Sequence, residues 1–123
     1  MIERKEIEMM KVAYQQLYEI ENALRKFVSI RMNEEYGPFW YYKASKLLQR
    51  KPPRAPIANL YLHELERSFL RVYPPFEDLT PTFFSHLHNL YPIRNRIAHS
   101  HPITEDQADS LSQCHSYLTE YMT

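Results

Sequence analysis

The sequence feature that most constrains the fold is a long apolar stripe near the N-terminus. Its members are spaced alternately three and four residues apart: Met10, Ala13, Leu17, Ile20, Leu24 and Phe27. This period is that of one face of an α-helix. It predicts a single amphipathic helix from about Glu3 to about Glu34. Gly37, the only glycine in the chain, and Pro38 are expected to end it.

The middle of the chain predicts shorter helices separated by proline-rich breaks. The aromatic residues after Pro38 open a helix that reaches about Gln49. The segment RKPPRAP is expected to be a loop, because its three prolines remove backbone donors and restrict their neighbours. A periodic apolar segment from Ile57 to about Val72 predicts the next helix, and YPPFEDL ends it.

Two N-terminal capping signals predict the last two helices. Thr80 is expected to be an N-cap with Pro81 at the first helical position, and Pro102 closes the segment that follows. Thr104 and Gln107 match a capping box for a final helix to about Tyr121. With no alternating strand pattern and no repeat, residues 1–123 predict one all-α domain, a bundle of four or five helices with one long N-terminal helix.

Composition bounds the class of protein. A lone cysteine, Cys114, supports neither a disulfide framework nor a cysteine-rich zinc site. No stretch approaches the ~18 uninterrupted apolar residues that would cross a bilayer, so we expect a soluble cytoplasmic protein. The formal net charge is zero, which gives the whole molecule no general attraction for polyanions.

Positive charge is nevertheless concentrated in one segment. It holds five cations and no acid: Lys43, Lys46, Arg50, Lys51 and Arg54. Such a cluster could bind the phosphates of RNA, with Arg50, Lys51 and Arg54 as candidates, although a solvated face is at least as common an explanation.

The stretch YPIRNRIAHSHP, from Tyr91 to Pro102, concentrates the polar chemistry of the chain. On a helix with about 100° per residue, Arg94, Asn95 and His99 fall on one side, and the apolar residues fall on the other. Ala98 lies between Arg94 and His99 and leaves the space above it open. Asn95 is four residues from His99 and could orient its imidazole. Pro92 predicts a kink or a short break in this helix.

An arginine beside a histidine suits phosphodiester chemistry. The histidine can move a proton at the attacking or leaving oxygen, and the guanidinium can stabilise the charge that builds on phosphorus. RNA supplies its own nucleophile, the 2′-hydroxyl, so no metal or cofactor is expected. By spacing alone, however, an ordinary polar helix face is favoured, since this composition yields roughly one such pair by chance. Rival pairs include Arg96 or Arg94 with His101.

The motif and its flanks resemble a known family. RNRIAH is similar to the Arg-x4-6-His signature of HEPN domains, which are all-helical modules. LYEIENALRKFV, YGPFWYY and HPITEDQADSL resemble, in kind and order, the corresponding parts of Swt1-like HEPN domains. The resemblance covers most of the chain.

The resemblance implies a function as well as a fold. Members of this family are homodimers whose two motifs meet in a cleft and cleave RNA without metal, in toxin, antiphage or RNA-processing systems. By motif match, Arg94 and His99 would be catalytic and Asn95 supporting, while Arg96 and His101 are further candidates for binding RNA. A cognate antitoxin or a larger defence assembly would be a further partner. The alternative is an inactive HEPN-like module that only binds RNA or protein.

Three further interpretations remain open on the sequence alone. Zinc could bind His99 and His101 with Cys114 or His115. Glu21 and Arg25 match the resemblance but also form an ordinary four-apart ion pair. The Trp40 side chain could stack on bases, although a core or dimer contact is favoured.

Overall fold

The computed structural model describes residues 3–123, which are helical and contain no strand. The five α-helices are α1 (Arg4–Tyr36), α2 (Trp40–Leu47), α3 (Leu62–Leu65), α4 (Pro81–Ala98) and α5 (Glu105–Met122). The prediction of an all-α fold with one long N-terminal helix is therefore confirmed. Within the described residues, no helix combines the length and the apolar character that crossing a bilayer requires.

The described residues divide into two compact units, and α1 contributes to both. The first unit comprises residues up to 23 together with residues 80–123. In it, α4 and α5 pack against each other. Its core is formed by apolar side chains from all three helices: Ala13, Leu17, Ile20, Phe83, Leu87, Leu90, Ile93, Leu111, Cys114 and Leu118.

Side-chain caps fix where the helices of the first unit begin. The Thr80 hydroxyl accepts a hydrogen bond from the Phe83 backbone N–H at 3.1 Å. The Thr104 hydroxyl accepts from the Gln107 N–H at 3.1 Å, and the Gln107 side chain accepts from the Thr104 N–H at 3.0 Å. Both predicted N-termini are confirmed, since each cap satisfies backbone donors that have no partner inside the helix.

The second unit spans residues 24–79 and has an aromatic core. Phe27 of α1 packs against Phe76 with ring centroids 6.0 Å apart, and Trp40 meets Phe69 edge to face at 5.8 Å. Gly37 ends α1 with a φ of +88°, a backbone conformation that favours glycine. Arg31 of α1 pairs with Asp78 at 2.7 Å, which ties the end of this unit to the helix.

The prediction of one continuous helix from Ile57 to about Val72 is wrong. Ile57–Asn59 is a single 3-10 turn, and the chain is then extended before α3 begins at Leu62. A five-residue π-helical segment, Glu66–Leu70, follows α3. The Glu64 carboxylate causes the restart: it accepts from the Tyr61 backbone N–H at 3.1 Å and so caps a new helix at this point.

The end of α4 also differs from expectation. The helix passes through Pro92 without a break and ends at Ala98, several residues before Pro102. His99 is the C-cap residue, with φ −98° and ψ 13°, and Ser100 has a left-handed φ of +58°. The residues that follow His99 therefore cannot be placed by helical spacing.

Candidate functional site at the end of α4

A two-bond terminal motif shapes the chain after α4. The Ser100 N–H donates to the Ile97 carbonyl at 3.1 Å, and the His101 N–H donates to the Arg96 carbonyl at 2.8 Å. Together with the left-handed Ser100, these bonds form a Schellman motif, which satisfies carbonyls at the helix end. The motif reverses the chain within three residues. It fixes the backbone positions of His99 and His101.

The two histidines lie close together at this turn. Both side chains are exposed, and their ring centroids are 6.4 Å apart. The structure places His101 outside the helix. It thereby brings a second imidazole next to His99, which helical spacing alone did not predict.

Asn95 does not orient the His99 imidazole as the sequence suggested. Among the described residues, no hydrogen bond joins the Asn95 amide to that ring. The two residues are linked through the backbone, where the His99 N–H donates to the Asn95 carbonyl at 3.1 Å.

Arg94 lies on the last turns of α4 and is mostly buried. Its Nε is 3.7 Å from Oε1 of Glu21 on α1, and the two side chains are 25% and 19% exposed. The Arg94 guanidinium is partly removed from water. The Glu21 carboxylate offsets the cost of this desolvation and helps to position the guanidinium. Neighbouring Leu90 and Ile93 are buried, as predicted for the opposite side of the helix.

Arg96 has a structural contact of its own. Its Nε donates to the Pro102 carbonyl at 2.7 Å, which closes the turn that contains His99 and His101. The side chain is exposed. Arg96 therefore helps to hold the loop, and any contact with RNA would be additional to this role.

The first unit contains an open cavity at the end of α4. Ala98 is exposed, and the cavity, of about 510 Å³, lies between α1 and the residues around it in the chain. The cavity has a largely apolar lining from α1, and three residues at the end of α4 complete it: Ile97, Ser100 and Pro102. Ala98 itself does not line this cavity, so the open space expected above position 98 stays a prediction.

The basic segment belongs to the second unit and is not uniform. Arg54 binds Glu64 through two parallel contacts, Nε to Oε2 at 2.7 Å and Nη2 to Oε1 at 2.9 Å. This pairing with Arg54 lowers the pKa of Glu64 from 4.5 to about 2. The guanidinium also lies over the Tyr61 ring, with Cζ 4.9 Å from its centroid. Arg54 therefore forms a structural ion pair with Glu64.

The remaining cations of that segment are exposed. These are Lys43 and Lys46 on α2, together with Arg50 and Lys51 just after it. Arg50 and Lys51 therefore remain candidate RNA-binding residues, whereas Arg54 is a weaker one.

The other candidates have local structural contacts. Cys114 is buried and donates to the His86 carbonyl at 3.3 Å, and burial raises the pKa of its thiol. Nε2 of His115 lies 3.5 Å from Oε1 of Glu19. Across residues 3–123, no three histidine, cysteine or acidic side chains are grouped as a metal site would require. The Trp40 ring is buried, which agrees with the core interpretation.

The residue that sequence reasoning missed is Glu21 as the partner of Arg94. Its spacing to Arg25 suggested a pair within α1, and Arg25 also reaches beyond this helix, since its Nη2 donates to the Leu60 carbonyl at 2.9 Å. A contact between residues 21 and 94 depends on how α1 and α4 pack, and a single sequence contains no signal for it.

Comparisons with protein-family models, with curated proteins and with solved structures found no match for this chain.

Proposed function

We propose that this protein is a metal-independent endoribonuclease of HEPN type, in which Arg94 and His99 act on the scissile phosphate. The observation that carries the proposal is the arrangement at the end of α4. An arginine paired with Glu21 lies five residues before an exposed histidine, with the small, exposed Ala98 between them in the chain. The resemblance of RNRIAH to the HEPN signature supports the same assignment.

The reaction uses groups that RNA and this site supply. The 2′-hydroxyl loses its proton to a base and attacks phosphorus, and the bond from phosphorus to the 5′-oxygen breaks. The leaving 5′-oxygen takes a proton from an acid, so the products are a 2′,3′-cyclic phosphate and a 5′-hydroxyl. Arg94 stabilises the negative charge that develops on the phosphoryl oxygens. His99 provides the base or the acid.

One copy of His99 serves only one of the two proton transfers at a time. A homodimer with its two-fold axis near Ala98 would place two His99 and two Arg94 side chains along one cleft. The exposed, small Ala98 favours this close approach. His101 and Arg96 would lie at the edge of the cleft and contact the RNA strand. Asn95, exposed on the same turn, would have a supporting role there.

The proposal is tested by cleavage of a labelled, structured RNA in EDTA. Arg94→Lys should lose nearly as much activity as Arg94→Ala, because the ammonium group of lysine cannot make the two parallel hydrogen bonds that a planar guanidinium makes to a phosphate. Arg96→Lys is the matched control, since it changes the neighbouring arginine that bonds to Pro102. A wild-type rate in Arg94→Lys would exclude this role for Arg94. If the wild type binds the RNA without cutting it, the protein is a binding module instead.

A further inference from the structure

The exposed face of α2 has an unusual composition. On a helix with about 100° per residue, the buried side chains Trp40, Ala44 and Ser45 and the half-buried Tyr41 occupy one arc. The opposite arc holds only exposed residues. In angular order these are Tyr42, Lys46, Phe39, Lys43 and Leu47, with Phe39 at the N-cap.

Aromatic rings and cations are interleaved on this face. Phe39 is four residues from Lys43, and Tyr42 is four residues from Lys46, so each ring has a lysine as its helical neighbour. Both residues are largely exposed, Phe39 at 83% and Tyr42 at 68%, and the Tyr42 ring also meets that of Tyr41 edge to face, with centroids 5.4 Å apart. Aromatic side chains usually dominate cores and interfaces, and two such rings on one exposed turn indicate a binding surface.

The cations of this surface are not neutralised by the protein. Among residues 3–123, no carboxylate forms an ion pair with Lys43, Lys46, Arg50 or Lys51. The segment from Lys43 to Arg54 also contains no acid, and its last cation is paired with Glu64. A local excess of four positive charges therefore stands on a chain whose formal net charge is zero.

The turn after α2 carries two further cations, Arg50 and Lys51. Gln49 adopts a left-handed φ of +52°, and the Arg50 N–H donates to the Ser45 carbonyl at 2.9 Å. This bond closes the helix end and holds the backbone of Arg50 next to α2. Arg50 and Lys51 therefore lie directly after the last turn of α2, where both are exposed.

We infer that this face, defined by Phe39, Tyr42, Lys43, Lys46 and Arg50, is a binding surface for single-stranded RNA. The inference rests on the proposed function in taking RNA as the ligand. The lysines and Arg50 match the phosphate backbone, and the two rings offer platforms on which unpaired bases stack. Duplex RNA would use the cations but not the rings, because its bases are already stacked on one another.

The surface therefore gives the enzyme a means of choosing its substrate. A strand held on α2 through stacking and charge would favour RNA that has an unpaired segment outside the cleavage site. Because base stacking tolerates any sequence, this surface would select for single-strandedness and not for a particular base.

The test uses the full chain and a probe that it cannot cut. A fluorescent 2′-O-methyl oligouridine of about 12 nucleotides lacks the 2′-hydroxyl nucleophile and is long enough for one binding site. Its affinity is measured by anisotropy over a range of salt concentrations. Phe39→Ala combined with Tyr42→Ala should weaken binding at least about tenfold and leave the salt dependence unchanged.

Lysine variants test the contribution of charge to binding separately from that of the rings. Lys43→Ala combined with Lys46→Ala should weaken binding and reduce the slope of log affinity against log salt by about 1.4, the value for two phosphate contacts on a single strand. Lys26→Ala combined with Arg67→Ala removes the same charge from two exposed residues elsewhere in the unit and should bind as the wild type does.

Several outcomes would overturn the inference. Unchanged affinity in the Phe39→Ala, Tyr42→Ala variant would exclude stacking on these rings. Equal losses of affinity in the lysine variant and its control would show that Lys43 and Lys46 act only through the net charge of the protein. Binding to anionic phospholipid vesicles without binding to the oligonucleotide would assign the face to a membrane surface. Because the probe resists cleavage, its binding is independent of activity. An inactive protein that binds it through α2 contradicts only the proposed function.

Discussion

The carboxylate of Glu21 lies 3.7 Å from the Nε of Arg94, joining α1 to α4 by a mostly buried ion pair. The contact has two consequences. It balances the charge of an arginine whose side chain is only 25% exposed, and it holds that side chain toward α1. Within the proposed mechanism, Glu21 is a positioning residue, because it acts on phosphate only through Arg94.

Glu21→Gln should separate positioning from folding. The amide keeps the size of the side chain but loses the charge, so Arg94 should be less firmly oriented and cleavage should slow by about tenfold. The free energy of unfolding should fall by only about 1 kcal/mol, as for a partly exposed pair. Initial rates and chemical denaturation measure the two effects. Glu19→Gln, which changes an acid paired with His115 on the same helix, is the control. A Glu21→Gln protein with full activity would remove Glu21 from the mechanism.

Ala98→Trp tests the shared cleft. An indole at this exposed position should prevent two protomers from approaching closely, or should fill the groove between them. We expect a monomer by light scattering at micromolar concentration, loss of cleavage, and unchanged helical content by circular dichroism. Ala58→Trp, at an exposed position in the second unit, is the matched control and should remain dimeric. Normal cleavage by Ala98→Trp would contradict the shared cleft, even if the wild type proves to be a dimer.

The pair between Arg54 and Glu64 makes stability depend on pH. Arg54 lowers the pKa of Glu64 in the folded chain from 4.5 to about 2. The depressed pKa adds stability that is fully present above about pH 4.5, and this stability is lost as the pH falls toward 2. Glu64→Gln should therefore be less stable than the wild type at neutral pH, and the difference should shrink between pH 4.5 and pH 2.

Denaturant unfolding at a series of pH values measures that difference directly. Glu77→Gln, at an exposed position outside the pair, serves as the control and should follow the wild type throughout. A gap between the wild type and Glu64→Gln that stays constant down to pH 2 would show that the ion pair does not account for the stability. The test also bears on Arg54, because a strong pair with Glu64 leaves this arginine less available to RNA.

Local signals allowed much of the fold to be predicted from the sequence. The apolar period of α1, the glycine that ends it, and the caps at Thr80 and Thr104 each act within a few residues. The failures arose where tertiary contacts compete with local pattern. Glu64 caps a new helix and bonds to Arg54, and this interrupts a segment whose apolar spacing alone predicts one helix.

In the candidate site, too, local features could be predicted from the sequence and tertiary contacts could not. The exposure of His99 and the core side of α4 follow from helical spacing up to His99, the C-cap residue. Beyond that residue the chain turns through a left-handed serine, where glycine is the usual signal, so the end of the helix could not be predicted from the residues there. The Glu21 contact could not be found by spacing, because it joins helices that are distant in the chain.

The most direct test of the account compares two neighbouring histidines in EDTA. His99 and His101 are both exposed, and their rings are 6.4 Å apart on the same turn. We predict that His99→Ala abolishes cleavage of a labelled RNA by the chelated protein while its melting temperature stays close to that of the wild type. His101→Ala should retain most of the activity, and wild-type products should end in a 2′,3′-cyclic phosphate. Equal cleavage by His99→Ala and wild type, or activity that disappears on chelation and returns with zinc, would contradict the central claim.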